Sequence, residues 1–207
     1  MEALDLAQLI ALAAVLGFAS GIRLYAVLLV VGLVGYAGWV DLPPGLAILQ
    51  HPWVLGAAAA MVLVEFVADK IPGVDTVWDA LQTFIRIPAG AALAAGVLGG
   101  LDGAAWTTVA AILGGSLAAT SHFTKAGTRA AANTSPEPFS NLGLSVAEDL
   151  STLGLLWLVL TYPLVALAVV VVMVGLAAWL LPRIFRFIIR IGRRLFGTGS
   201  DVPGASR

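Results

Sequence analysis

Cysteine is absent from the sequence, which excludes disulfide frameworks, thiolate zinc sites and cysteine nucleophiles. Charge is scarce as well. Asp, Glu, Lys and Arg make up 11% of the 207 residues, against about 25% in soluble domains. In contrast, 60% are hydrophobic and the mean hydropathy is +0.99. Too little polar surface remains to face water, so the chain belongs in a bilayer. A positive leader is also missing: the chain begins Met1-Glu2-Ala3-Leu4-Asp5, and Met1 to Ile22 reads as a retained membrane helix rather than a secretory signal. No HExxH, Gly-x-Ser-x-Gly or P-loop pattern occurs, so nothing points to an enzyme, a cofactor or a resident metal. The net charge is -1. Five of the eleven Lys and Arg lie between Arg183 and Arg194, which leaves no basic face for nucleic acid.

What is there is a series of charge-free stretches, each to be measured against the roughly 20 apolar residues that a membrane helix needs. Leu6 to Ile22 and Leu24 to Val40 are separated only by Arg23, beside Ser20-Gly21. They read as two short crossings or as a pair of re-entrant half-helices meeting at Ser20 to Arg23. Pro43-Pro44-Gly45 turns the chain. The next run starts near Pro52, reaches Glu65 and ends in Asp69-Lys70-Ile71-Pro72-Gly73. Asp75 is a good N-cap for a helix through Arg86 and Pro88 to Gly99 or Gly100. Asp102-Gly103 is a turn signal, and Ala104 to about Thr120 is a crossing rich in small residues. Thr120 to Asn141 is the main polar connection. Its sequon Asn133-Thr134-Ser135 is silent if the loop faces inward. Ser145 to Glu148 has the form of a capping box. From Leu150 to Pro182 no residue is charged, and this stretch is either one long helix or two helices turning at Thr161-Tyr162-Pro163.

Lys and Arg are enriched in cytoplasmic loops. A turn at Pro163 puts all eleven at or toward the same side as the C-terminus, whereas one long final helix strands Lys125 and Arg129 outside. The sequence therefore predicts an all-α, polytopic membrane bundle of about seven segments, with short or broken helices. Its boundaries are an integral-membrane domain at 1–181, a basic amphipathic interfacial helix at 182–196 and a disordered tail at 197–207. The expected setting is the bacterial inner membrane with the C-terminus cytoplasmic. In the tail helix Arg183, Arg186, Arg190, Arg193 and Arg194 share about 100° of arc, a stripe suited to anionic lipid. A homo-oligomer is left open.

Ionisable groups in membrane segments are costly and usually face protein or a water-filled cavity. Glu65 and Asp69 share a helix face, with Lys70 next in sequence. Asp75, Asp79, Gln82 and Arg86 fall within about 60° of arc on the following helix. His122, Lys125, Arg129 and Asn133 form a third stripe if that segment is helical, with Glu137 beyond it, and Arg23 stands alone. Three readings are open: a stripe lying in water at the interface, acidic and basic stripes paired across the bundle, or a polar cavity on a substrate or ion pathway. Divalent-metal ligation through Glu65, Asp69, Asp75, Asp79 and His122 has the right donor types, but no second histidine lies near the first. The aspartates Asp69, Asp75 and Asp79 are similar to those of membrane CDP-alcohol phosphotransferases, yet the upstream Asp-Gly and Ala-Arg of that pattern are absent.

At Glu65 to Asp79, continued by Thr83, Arg86 and Pro88-Ala89-Gly90, the sequence resembles a bacterial integral-membrane family, domain of unknown function 4126. Thr120 to Lys125, Gly127, Arg129, Asn133 to Pro138, Ser140-Asn141 and Glu148-Asp149 carry the same resemblance. With Ser20 to Arg23 it runs from about residue 10 to 180. It implies a membrane setting and no particular activity. Two functions follow from the residues. One is a small-solute or ion permeation protein with its site at Arg23, the Pro72-Gly73 break and the charged stripes. The other is a non-transporting scaffold whose charges only lock helices. A permeation site should show a water-accessible cavity reaching Arg23, whereas a scaffold should hold its charges paired and dry.

Overall fold

The computed structural model describes residues 5–71, 73–101, 104–134 and 138–196. Among them all regular structure is helical: α1 (Leu6–Tyr36), a 3-10 segment (Pro44–Gln50), α2 (Pro52–Ala68), α3 (Val74–Leu98), α4 (Ala104–Ala132), α5 (Pro138–Thr161) and α6 (Pro163–Phe196). Five helices, α1 and α3 to α6, are long and apolar enough to cross a membrane. The 3-10 segment and α2, bent by 70°, make a sixth when taken as a pair. The expected helical membrane bundle is what the chain forms.

Polarity is distributed as a lipid solvent demands. Arg23, Glu65, Asp69, Arg86, His122 and Arg129 are buried, while Leu63, Phe84, Ile112, Trp157, Val171 and Leu176 are exposed. In water this arrangement would carry a heavy desolvation cost on both sides. In hydrocarbon it puts apolar side chains outward and collects polar groups where they can satisfy one another.

The helix α1 is the hub, in contact with every other element, and each of its residues from Ala11 to Tyr25 is buried. It starts at a capping box: Gln8 N donates to Asp5 Oδ1 at 2.7 Å, and Asp5 N donates to Gln8 Oε1 at 3.0 Å. Its helical course breaks at Arg23, with φ -141° and ψ 73°. A straight helix would hold Gln8 and Val34 about 39 Å apart. Instead both line one cavity, together with Leu12, Leu16, Val30 and Val31, so the two limbs form a V with Arg23 at its vertex. Lys125 touches the vertex through the Ile22 carbonyl at 3.1 Å, and Lys125 lies about 10 Å along α4 from its Ala132 end. The vertex thus stops inside the bundle, a shape that two short crossings and a re-entrant pair share. Glycine makes the approach possible, since a Cβ at Gly21 would stand 2.2 Å from the Ala118 carbonyl oxygen of α4.

Other boundaries move. The chain breaks at Tyr162 into α5 and α6, as sidedness favoured. The helix α4 continues past Thr120 to Ala132, so half of the expected polar connection is helix and its stripe is real. Helix α5 starts at Pro138, which places the Ser145 to Glu148 capping box within the helix: both side chains bond to other helices instead (below). Gly73, at φ 86°, is the N-cap of α3. Asp75, in the first turn, still accepts from Gly73 N at 2.8 Å and Thr76 N at 2.7 Å. The basic stretch from residue 182 is continuous with α6, which runs through Pro182 without a break. The segment 197–207, Pro72, Asp102 and Glu137 lie outside the described residues.

Candidate functional site

The three predicted stripes meet at one end of the bundle, around the vertex of α1. Arg23 donates to Asp69, and to Ser145 Oγ at 2.8 Å and the Ser145 carbonyl at 3.2 Å. Its Nε lies 2.9 Å from Asp149 Oδ1, placed for ion pairing rather than aligned as a hydrogen bond. Arg86 bridges Glu65 and Asp79 Oδ1, the latter at 3.0 Å. Arg129 grips Glu148 with both forks, Nε to Oε1 at 2.9 Å and a terminal nitrogen to Oε2 at 2.7 Å. It also donates to the Asp69 carbonyl at 2.6 Å. Two-point geometry of this kind fixes direction as well as charge. Asp75 accepts from Asn133 Nδ2 at 3.0 Å, and Asn141 Nδ2 donates to Asn133 Oδ1 at 2.7 Å.

Lys125 sits at the centre. Its ammonium lies 3.1 Å from both Asp69 Oδ2 and the Ile22 carbonyl, 3.3 Å from Glu148 Oε2, 3.7 Å from Asp79 Oδ1 and 4.0 Å from Glu65 Oε1. The four cations Arg23, Arg86, Lys125 and Arg129 face six carboxylates, Glu65, Asp69, Asp75, Asp79, Glu148 and Asp149. Of the carboxylates only Asp149 is substantially exposed, with 36% of its side chain reached by solvent.

His122 has a fixed role. Thr83 Oγ1 spends its one proton on the Asp79 carbonyl at 3.1 Å and must therefore accept from His122 Nε2 at 2.7 Å. Nδ1 is left as an acceptor facing an Arg86 nitrogen at 3.4 Å. This network assigns the Nε2–H tautomer. The imidazole bridges α3 and α4. Among the described residues no group of three acidic or imidazole side chains could hold a metal ion.

Of the predicted pathway residues, Arg23, Glu65, Asp69, Asp75, Asp79, Arg86, His122, Lys125, Arg129 and Asn133 are brought together. Lys70 is not: its ammonium turns away onto the Phe66 ring and carbonyl. The open alternatives are thereby narrowed, since the α3 and α4 stripes face each other and not water. The residues that sequence reasoning missed as site members lie on α5, where Asn141, Ser145, Glu148 and Thr152 recur at helical spacing and face inward. Their periodicity was the available signal, and the capping-box pattern concealed it.

Two cavities approach the network from the flanks of α4. One of about 230 Å³, walled by Phe18, Met173 and Leu176, reaches Lys125 and Glu148. One of about 410 Å³, under Leu181, Ile184 and Phe185 of α6, reaches Asp79 and His122. Arg23 itself is 2% exposed. Of the tail stripe, Arg183, Arg186 and Arg190 are exposed, with Arg183 stacked 3.7 Å over Trp179. The side chains of Arg193 and Arg194 lie outside the described residues.

Comparison with known proteins identifies the chain as a member of one family, described as a domain of unknown function, DUF4126, whose model matches residues 10–183. No curated protein and no solved structure matches the chain.

Proposed function

We propose that this DUF4126 protein is a small-solute or ion permeation protein, here in an occluded state, whose site is the charged network around the α1 vertex. The observation that carries this is the size and depth of the network. Arg86 is the central residue of α3, about 18 Å from either end, and is 0% exposed. Desolvating each ion costs several kcal/mol, and a buried pair is often no better than apolar packing of equal volume. Four cations and six carboxylates, assembled where a helix folds back at membrane depth, have the form of sites that bind charged cargo. On this proposal the protein performs no catalytic step. The charged end and the C-terminus face the cytoplasm of a bacterial inner membrane, supported by the gathering of Lys and Arg toward that end.

A second function, a scaffold with structural charges, is favoured by one specific observation: Arg23 is dry and held on several sides. The two separate by flux. Without Arg23, Asp69 and Glu148 keep Lys125 and Arg129 while Asp149 reaches solvent, and without Asp69 the three cations keep Glu148, so Arg23→Gln and Asp69→Asn are expected to remain folded and extractable in detergent. In proteoliposomes wild type should pass an alkali cation, a proton or a small anion, and both variants should lose that flux. Wild-type vesicles that pass none of these, together with variants that unfold, would leave the scaffold.

A further inference from the structure

The Lys125 ammonium has more oxygen around it than it can use. It carries three donors, yet five oxygens from Ile22, Glu65, Asp69, Asp79 and Glu148 stand 3.1 to 4.0 Å away. One of them, the Ile22 carbonyl, lies at the break in α1. Backbone oxygens at broken helices are a recurring source of cation ligands at membrane depth. Two further oxygens of the same carboxylates, Asp69 Oδ1 and Asp79 Oδ2, are buried without any hydrogen-bond partner, although both residues are at most 1% exposed. Anionic oxygens without a partner are costly at this depth, and a positive charge, a proton or a hydrogen-bond donor relieves them. Charge points the same way: with Lys125 counted, four cations still face six carboxylates.

From this geometry we infer that the cage around Lys125 is a monovalent-cation site and that the lysine ammonium is its tethered occupant. This rests on the permeation function proposed above and names its ion. The distances select the ion. Calcium takes oxygens at about 2.3–2.6 Å and magnesium at about 2.0–2.1 Å, far inside a ring set at 3.1 to 4.0 Å. A cation of ammonium size, potassium or ammonium itself, is the one for which the ring has to close least. The 230 Å³ cavity reaches Lys125 and Glu148 from the α5–α6 side, which gives the four-carbon stem room to swing the ammonium out as the free ion enters. Exchange of one positive charge for another leaves the charge of the network unchanged, so the step requires no compensating proton.

The test empties the cage. Lys125→Ala, as the full chain in detergent, is melted in potassium, ammonium or choline chloride at equal ionic strength. A saturable rise of about 5 °C or more in potassium or ammonium over choline is expected. Wild type and Lys125→Ala/Glu148→Gln should show none. Equal melting of Lys125→Ala in all three salts would overturn the inference. Lys125→Gln, which keeps a donor for Ile22, is measured in parallel. Failure of both variants to fold in potassium as in choline would overturn it too, because a cage that accepts a free cation is refilled by one. The readout is binding, so cation-dependent melting without flux sinks only the permeation function, and flux without cation-dependent melting sinks only this site.

Discussion

Arg86→Met should be the most damaging single change in the network. The guanidinium is 0% exposed and holds Glu65 and Asp79 together. Methionine fills similar space but leaves both carboxylates facing a cation that others already occupy: Lys125 is 4.0 Å from Glu65 and 3.7 Å from Asp79, while engaged with Asp69 and Glu148. Removing one partner of a buried ion pair costs about 3–5 kcal/mol. Glu65→Gln is different, because Arg86 keeps Asp79 and the network still has more carboxylates than cations; its cost should be about 1–2 kcal/mol. The double variant Arg86→Met/Glu65→Gln no longer carries the unpaired Glu65 charge. It should therefore be less damaged than the sum of the singles by about 2 kcal/mol.

Denaturant unfolding in mixed micelles measures all four proteins of this cycle, and in a thermal scan the loss at Arg86→Met corresponds to about 6–20 °C. Additivity of the two single costs within about 0.5 kcal/mol would show that the charges do not act on each other. A cost below about 1 kcal/mol for Arg86→Met would show that water or lipid headgroups reach them. Either result refutes the dry network.

Gly21→Ala should prevent α1 from seating on α4, because the new methyl meets the Ala118 carbonyl at 2.2 Å and backbone cannot yield as a side chain does. Gly143→Ala on α5, where nothing lies within 4 Å, should be neutral or stabilise by up to about 1 kcal/mol; equal yields of the two folded variants would contradict the packing. At the C-terminus, replacing Arg183, Arg186, Arg190, Arg193 and Arg194 by Gln should weaken binding of a tail peptide to anionic vesicles, and salt should do the same to the wild-type peptide. Equal affinity for neutral vesicles would remove the electrostatic attraction, and a C-terminal reporter active only outside the cell would reverse the orientation.

The helices were legible because bilayers impose length and polarity on them, and the turn at Tyr162 was legible because lysine and arginine choose a side. The stripes on α3 and α4 were legible from spacing alone. What they faced was not: identical periodicity serves a helix lying in water and one turned inward, and only the partner helix decides. The fold-back of α1 depended on a single backbone residue, Arg23, whose neighbours Leu6 to Ile22 and Leu24 to Tyr36 have the composition of ordinary crossings. Ser145 and Glu148 misled because a capping box and two inward polar positions three residues apart have the same pattern. The choice fell to Arg23, 122 residues upstream of Ser145, and to Arg129, 19 residues upstream of Glu148.

The asymmetry of the bundle bears on what the network can do. Charge runs from Asn133 and Asp75 at one end up to Arg86 and His122, and there it stops. Beyond them the core is Leu16, Leu93, Ala94, Val97 and Leu98, and from the other side the cavity between the limbs of α1 descends only as far as Leu16. Leu16 and Arg23 are about 10 Å apart along the first limb, and that interval is tightly packed. A Cβ at Gly17 would come within 2.7 Å of Gly114 Cα, and one at Gly90 within 2.7 Å of Ser20 Oγ. Close packing between a polar half and an apolar half also suits a helical scaffold. For a permeation protein it is the place where the two sides are kept apart, and passage requires the first limb of α1 to move against α3 and α4. The Arg23 vertex is where such movement enters the network, since the residue that breaks the helix is also the one whose side chain ties α1 to Asp69 on the α2 side and to Ser145 and Asp149 on α5.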